Sequence, residues 1–279
     1  MPKKTRRVNT PTFDREPYVI ALILGVIEGI TECIPVSSTG HMIIIGHMLN
    51  FEGTHADVFE VFIQIGAILA IYTHYRRTFN GFLKRKNWIK TRGVSLLHIS
   101  AGMLPVLMAG YLLQYIIKEY LFGPIPVIVG LIIGAIFMIY AEKRTVSGRL
   151  VDSVNNLTIY QCFQIGLYQM LCLWPGFSRS GATIAGGMLI GCTRRAAADF
   201  SFIMAVPVMI IVCVYDLVRV IHALELNDII MFIIGTVVSY IVGYITVKGF
   251  LWYLNRSSLA SFGYYRIIVA ILAIIYLYM

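Results

Sequence analysis

GVIEGITECIPVSSTGH, residues 25–41, and GLYQMLCLWPGFSRSGAT, residues 166–183, decide how this chain is built. Each stretch is an apolar helix stopped by a proline, Pro35 or Pro175. A serine cluster follows, Ser37 and Ser38 or Ser178 and Ser180, and then a glycine, Gly40 or Gly181, opens another apolar segment. Proline removes a helical hydrogen bond and ends the first helix. A serine hydroxyl can then cap the next one. With their flanks the stretches pair 18–34 with 41–50, and 159–174 with 181–192. The second member of each pair is too short for a hydrocarbon core that needs about 20 apolar residues. Such pairs read as re-entrant helical hairpins, which dip into a bilayer and return on the same side.

Outward from the hairpins lie six runs long enough to span, at about 57–75, 94–117, 121–141, 200–221, 229–254 and 262–279. Three follow each hairpin, and an odd number turns the second half upside down relative to the first. The pattern predicts an all-α polytopic membrane protein with inverted-topology repeats, about six transmembrane helices plus two re-entrant helical hairpins. Residues 17–279 form one membrane domain, with repeat one at about 18–141 and repeat two at about 158–279. Residues 1–16 read as a disordered basic tail. Interrupted helices at matching places in such repeats point to a site near the midplane.

Composition agrees. Of 279 residues 58% are hydrophobic and 13% charged, and the mean hydropathy is +0.77. A soluble domain carries roughly 25% charged residues. The net charge of +9 sits mainly in short links between apolar runs, which suits topology and anionic lipid rather than nucleic acid. Arg76, Arg77, Lys84, Arg85, Lys86, Lys90 and Arg92 should share a side with Lys143, Arg144, Arg149, Arg194 and Arg195, and that side should be cytoplasmic. The cluster Lys3, Lys4, Arg6 and Arg7 then falls outside, which opposes the assignment. A polar spacer, Asp14 to Pro17, follows that cluster with no small-residue cleavage site, so no cleavable signal is expected. Cys33, Cys162, Cys172, Cys192 and Cys213 are odd in number, lack a C-x-x-C pair and read as small buried side chains.

Three features carry chemistry. Glu28 and Glu32 are four apart, so both carboxylates leave one helix face. In an apolar segment an ionised side chain costs at least ~2.5–3.5 kcal/mol at the bilayer centre. A Mg²⁺ or Ca²⁺ ion between them, or one shared proton, removes that cost; a wet position near the interface is the bland alternative. In PVSSTGH, residues 35–41, Ser37, Ser38, Thr39 and Gly40 start a helix whose free N–H groups suit an anion. His41, three residues past Ser38, is placed to exchange a proton with its hydroxyl or with a bound phosphate; a capped turn with an incidental histidine is the alternative. PGFSRSGAT, residues 175–183, repeats the device with Ser178, Ser180 and Thr183 around Arg179. A guanidinium grips phosphate through two parallel hydrogen bonds, although an Arg179–Glu ion pair joining the hairpins is also open. The glycine spacings Gly130-x-x-x-Gly134 and Gly187-x-x-x-Gly191 suit close helix packing, and Gln64 suits a hydrogen bond across helices. His47, His55, His74, His98 and His222 form no ligand-spaced set.

At these residues the chain resembles the BacA-type undecaprenyl-diphosphatase family from about residue 18 onward. EGITE at 28–32, PVSSTGH at 35–41 and PGFSRSGAT at 175–183 carry the likeness, and the N-terminal extension lies outside the family pattern. The resemblance implies hydrolysis of undecaprenyl diphosphate to undecaprenyl phosphate, recycling the lipid carrier for cell-envelope synthesis and conferring bacitracin resistance. It implies a divalent cation on Glu28 and Glu32, and a site toward the outer face of the bacterial cytoplasmic membrane. Functional positions would be Glu28, Glu32, Ser38, His41, Ser178, Arg179 and Thr183. Ser38 is the expected nucleophile, with direct attack by metal-activated water as the alternative route; His41, Glu32 and Arg179 are the other catalytic positions, and Ser37, Thr39, Gly40, Ser178, Ser180 and Thr183 would line the phosphates. Expected partners are that lipid substrate and membrane lipids, with a homodimer as a further candidate and no nucleic acid. A lipid flippase or ion-coupled transporter on the same scaffold is the rival reading.

Overall fold

The computed structural model describes residues 17–51, 53–89, 93–121, 123–144, 150–220 and 229–278. The expected tail 1–16, with Lys90, Arg92, Arg149 and His222, lies outside the described residues. The described chain is helical, with α1 Pro17–Thr31, α2 Ser38–Met48, α3 Thr54–His74, the short α4 Arg76–Phe82, α5 Leu96–Ile116 and α6 Pro124–Lys143. The second half follows with α7 Ile159–Gln169, α8 Arg179–Leu189, α9 Arg194–Val220, α10 Ile229–Leu254 and α11 Ala260–Tyr278. Six of these, α3, α5, α6, α9, α10 and α11, are long and apolar enough to cross a membrane. At 1.5 Å per residue, the 11-residue α2 and α8 reach only about 16 Å.

Large hydrophobic side chains cover much of the outer surface. Ile233, Val237, Ile241 and Ile245 recur every four residues on one exposed face of α10. Water would penalise such a stripe; hydrocarbon does not.

One end of the bundle gathers the basic links. Tyr75, after α3, donates to Asp199 near the start of α9 at 2.6 Å. Arg194 pairs with Glu142 at the end of α6, and the same carboxylate accepts from Leu259 N at 3.0 Å, just before α11. Gly93 N, before α5, bonds Asn155 O, before α7, at 3.0 Å. The α7–α8 hairpin therefore enters from this end. The α1–α2 hairpin enters from the other, where Ile20 and Ala21 pack with Phe51, Ala56 and Met231. Three spans separate the hairpins, so opposite entry is what the chain count requires.

The packing is reciprocal between halves. Helix α1 lies along α10, and α7 lies along α5. The first glycine of each opening stretch makes the close approach: a Cβ on Gly25 would stand 2.7 Å from Gly235 O, and one on Gly166 would strike the carbonyl of Gly102. A cluster centred on Phe200, Phe202, Met204, Val206 and Val247 fills the interior between α9 and α10. Gln64 makes the expected bond across helices, accepting from Cys213 Sγ at 3.2 Å. The five cysteines are free, and all but Cys172 are buried.

Candidate active site

Both links between hairpin helices turn through a strained serine. Ser37 sits at φ 73° and Ser178 at φ 72°, a region L-residues with a Cβ rarely occupy. Each hydroxyl accepts from the N–H three residues on, Gly40 at 3.4 Å and Gly181 at 3.2 Å. Strain of this kind persists only where the surroundings enforce it. The second link shows the enforcement: Gly176, at φ 90°, lies so close to Val127 O that no Cβ fits, and Trp174 Nε1 donates to Pro126 O at 2.8 Å. Of the free N–H groups expected at α2, that of Gly40 is thus taken by its own cap. Those of Ser38 and Thr39 stay outside the helix ladder.

The two tips touch. Arg179 Nη2 stands 3.0 Å from Glu32 Oε1, with 10% and 8% of the side chains exposed. Ser180 Oγ donates to Ile34 O at 3.3 Å, a second contact from one hairpin to the other. Ser38 Oγ donates to Glu32 Oε2 at 2.6 Å, so Glu32 accepts from the cation with one oxygen and from the hydroxyl with the other. Behind Arg179, Ser201 O accepts from Nη1 at 3.5 Å, and Thr183 Oγ1 bonds Ser201 Oγ at 2.6 Å and donates to Arg179 O at 2.9 Å. Thr183 is fully buried, so it braces Arg179 rather than lining an open cavity. Ser178 bonds Ser180 at 3.3 Å, and Thr39 is exposed.

The expected exchange between His41 and Ser38 is replaced by another arrangement. His41 Nδ1 lies 2.9 Å from Ser37 O and Nε2 lies 2.8 Å from Tyr265 Oη. A carbonyl only accepts, so Nδ1 carries the proton, and in the neutral ring Nε2 accepts from the tyrosine. The rings stack with centroids 5.7 Å apart. The helix turn points His41 at α11, and the Ser38 hydroxyl finds Glu32 instead. Two apolar grooves flank this contact. One of about 540 Å³ runs between α10 and α11 past Ile34, Val36, Ile245 and Phe262. The other, about 310 Å³, runs between α2 and α11 past Ile44, Met48, Val269 and Leu272.

Residues missed by sequence reasoning complete the site's walls. Tyr265 is one. Arg266 is another: it is fully buried and donates to Gly176 O at 2.6 Å and Gly130 O at 3.2 Å. An arginine within an apolar run is a signal that the cost of intramembrane charge makes readable; the tyrosine had none. Gln169, which holds in the second stretch the place Glu28 holds in the first, is also fully buried, with no partner for its amide.

For a metal, the donors are few. Glu28 Oε1 is buried without a partner, both Glu32 oxygens are engaged, and no three His, Cys, Asp or Glu side chains converge among the described residues. Mg²⁺ commonly takes one or two carboxylates and completes its shell with substrate phosphates and water. The pair fits a cation shared with a phosphorylated ligand, not one held in an all-protein cage.

A family model described as bacitracin resistance protein BacA matches residues 21–272. Both hairpins and all six spans fall almost wholly within the match, and the chain belongs to the BacA family.

Proposed function

We propose that the protein hydrolyses undecaprenyl diphosphate to undecaprenyl phosphate and inorganic phosphate, recycling the lipid carrier and so conferring bacitracin resistance. The observation that carries this reading is the Ser38–Glu32–Arg179 chain, a hydroxyl, a base and a phosphate-binding cation within hydrogen-bond reach. Ser38 Oγ attacks the terminal phosphorus and passes its proton to Glu32 Oε2. The bond to the bridging oxygen breaks, and undecaprenyl phosphate leaves with its electron pair. Water then attacks the phosphoserine, and Ser38 recovers a proton from Glu32 as inorganic phosphate departs. Arg179 turns from Glu32 to the phosphate oxygens, to which its unpartnered Nε also becomes available. His41, held by Ser37 and Tyr265, serves as proton carrier at the phosphate. A divalent cation held by Glu28 and Glu32 would neutralise phosphate charge when bound. The flanking apolar grooves suit a prenyl chain.

The membrane is the bacterial cytoplasmic one. The hairpin bearing Glu28, Glu32, Ser38 and His41 enters from the end opposite the basic links, which by charge bias is the outer face. The test is release of inorganic phosphate from undecaprenyl diphosphate by purified protein in detergent, with and without EDTA. Release that EDTA abolishes supports the reading. No release under either condition leaves the transporter or flippase reading in its place.

A further inference from the structure

Arg266 holds a charge that nothing in the described protein balances. Three other arginines at helix starts or tips have a carboxylate: Arg179 has Glu32, Arg194 has Glu142 and Arg195 has Asp199. Arg266 is fully buried within α11, and the hydrogen-bond partners of its guanidinium are neutral: Gly176 O at 2.6 Å, Gly130 O at 3.2 Å and Met138 Sδ at 3.3 Å. Its Nε has no partner at all. Burying a cation without a counter-charge is among the costlier arrangements a protein can hold, more so in lipid.

Its place in the fold says where the counter-charge belongs. Through Gly176 it ties the 174–177 link to Gly130 on α6, fixing the entry of α8. Its Nη1 stands about 3.3 Å from where a Cβ on Gly181 would lie, so the guanidinium backs the first turn of α8, beside the Ser178 cap and Arg179. A helix N-terminus already favours an anion. A fixed cation behind that turn deepens the potential without touching the ligand.

We propose that Arg266 is a positioning residue of the phosphate site, a fixed second cation whose charge is balanced only when an anionic phosphate head group sits before α8. This rests on the phosphatase reading and names the anion-holding element behind Arg179. Arg266 acts through the 174–177 link and the α8 turn, and Arg179 remains the group that meets the phosphates.

The test uses the full chain in detergent, with inorganic phosphate and pyrophosphate as probes and their inhibition constants as the readout beside kcat and KM. Arg266→Gln keeps a polar, hydrogen-bonding side chain but removes the charge. It is expected to weaken phosphate inhibition by about tenfold, a fixed-charge effect on anion binding, while Arg266→Lys weakens it by less than about threefold. A folded Arg266→Gln protein that binds both probes like the wild type overturns the proposal, and so does an equal loss in the lysine variant. Should the glutamine variant not fold, the lysine variant decides by melting temperature: pyrophosphate must raise it as it does the wild type, and a lost increment overturns the proposal. If the wild type itself neither binds pyrophosphate nor releases phosphate, the phosphatase reading fails rather than the Arg266 assignment alone.

Discussion

Glu32 Oε1 and Arg179 Nη2, 147 residues apart in the chain, stand 3.0 Å from each other where two hairpins from opposite ends of the bundle meet. That buried pair is the joint of the molecule, and it also holds the base for Ser38. Removing one partner strands the other's charge, so Glu32→Ala or Arg179→Ala should each cost about 3–5 kcal/mol. The double variant should cost less than the sum. Melting temperatures of the three proteins in detergent check this; additive losses would mean the pair contributes no coupling.

Arg179 has a second expected consequence. Arg179→Ala should lower phosphate release by more than about 100-fold, the scale of losing a charge-stabilising donor. Arg179→Lys should fall less far but still severely, since lysine cannot offer a fork. Equal and mild losses would reduce Arg179 to an ion-pair partner.

The Ser38 hydroxyl donates to Glu32 at 2.6 Å, so Ser38→Ala should cost about 1 kcal/mol of stability, a single hydrogen bond's worth. Phosphate release should nevertheless vanish, and a trapped phosphoserine should be seen in the wild type by mass spectrometry after acid quench. Near-normal turnover by Ser38→Ala would replace the covalent route with direct attack by water.

Tyr265→Phe keeps the ring stacked on His41 and deletes only the hydroxyl. It should lower kcat by about tenfold with KM little changed, while His41→Ala should lose 100-fold or more, the range of a proton carrier. A tyrosine variant as damaged as the histidine variant would point to a packing role for the ring pair.

Glu28→Gln removes a buried carboxylate whose Oε1 has no partner. The protein should melt at the same or a higher temperature, since a buried polar atom without a partner is a liability. Phosphate release should drop and require more added Mg²⁺. Activity unchanged across a Mg²⁺ titration would remove Glu28 from the cation's ligands.

How much of this the sequence carried depends on whether the signal was local. The spans were legible because length and hydropathy alone mark them, and observed ends lie within a few residues of expectation except at the start of α9, where Arg194 precedes the apolar run. The hairpins were legible because Pro35 and Pro175 each stand beside a serine cluster and a short apolar run; proline alone is no such signal, since Pro105 and Pro207 lie inside α5 and α9. The meeting of Glu32 with Arg179 followed from matching positions in two halves. The partner of His41 was not legible. On a first turn both Ser38 and α11 are within reach, and which one the ring faces is set by tertiary packing against Tyr265. The serine caps were legible, but the positive φ at Ser37 and Ser178 was not, since sequence does not announce it for serine.

Each hairpin beds on a helix supplied by the opposite half, α1 on α10 and α7 on α5. A half-length chain would therefore own a tip with nowhere to seat it and a seat with no tip. Two such chains would assemble a complete site only when threaded through the bilayer in contrary senses, which makes the fused two-half gene a way of guaranteeing one copy of each orientation.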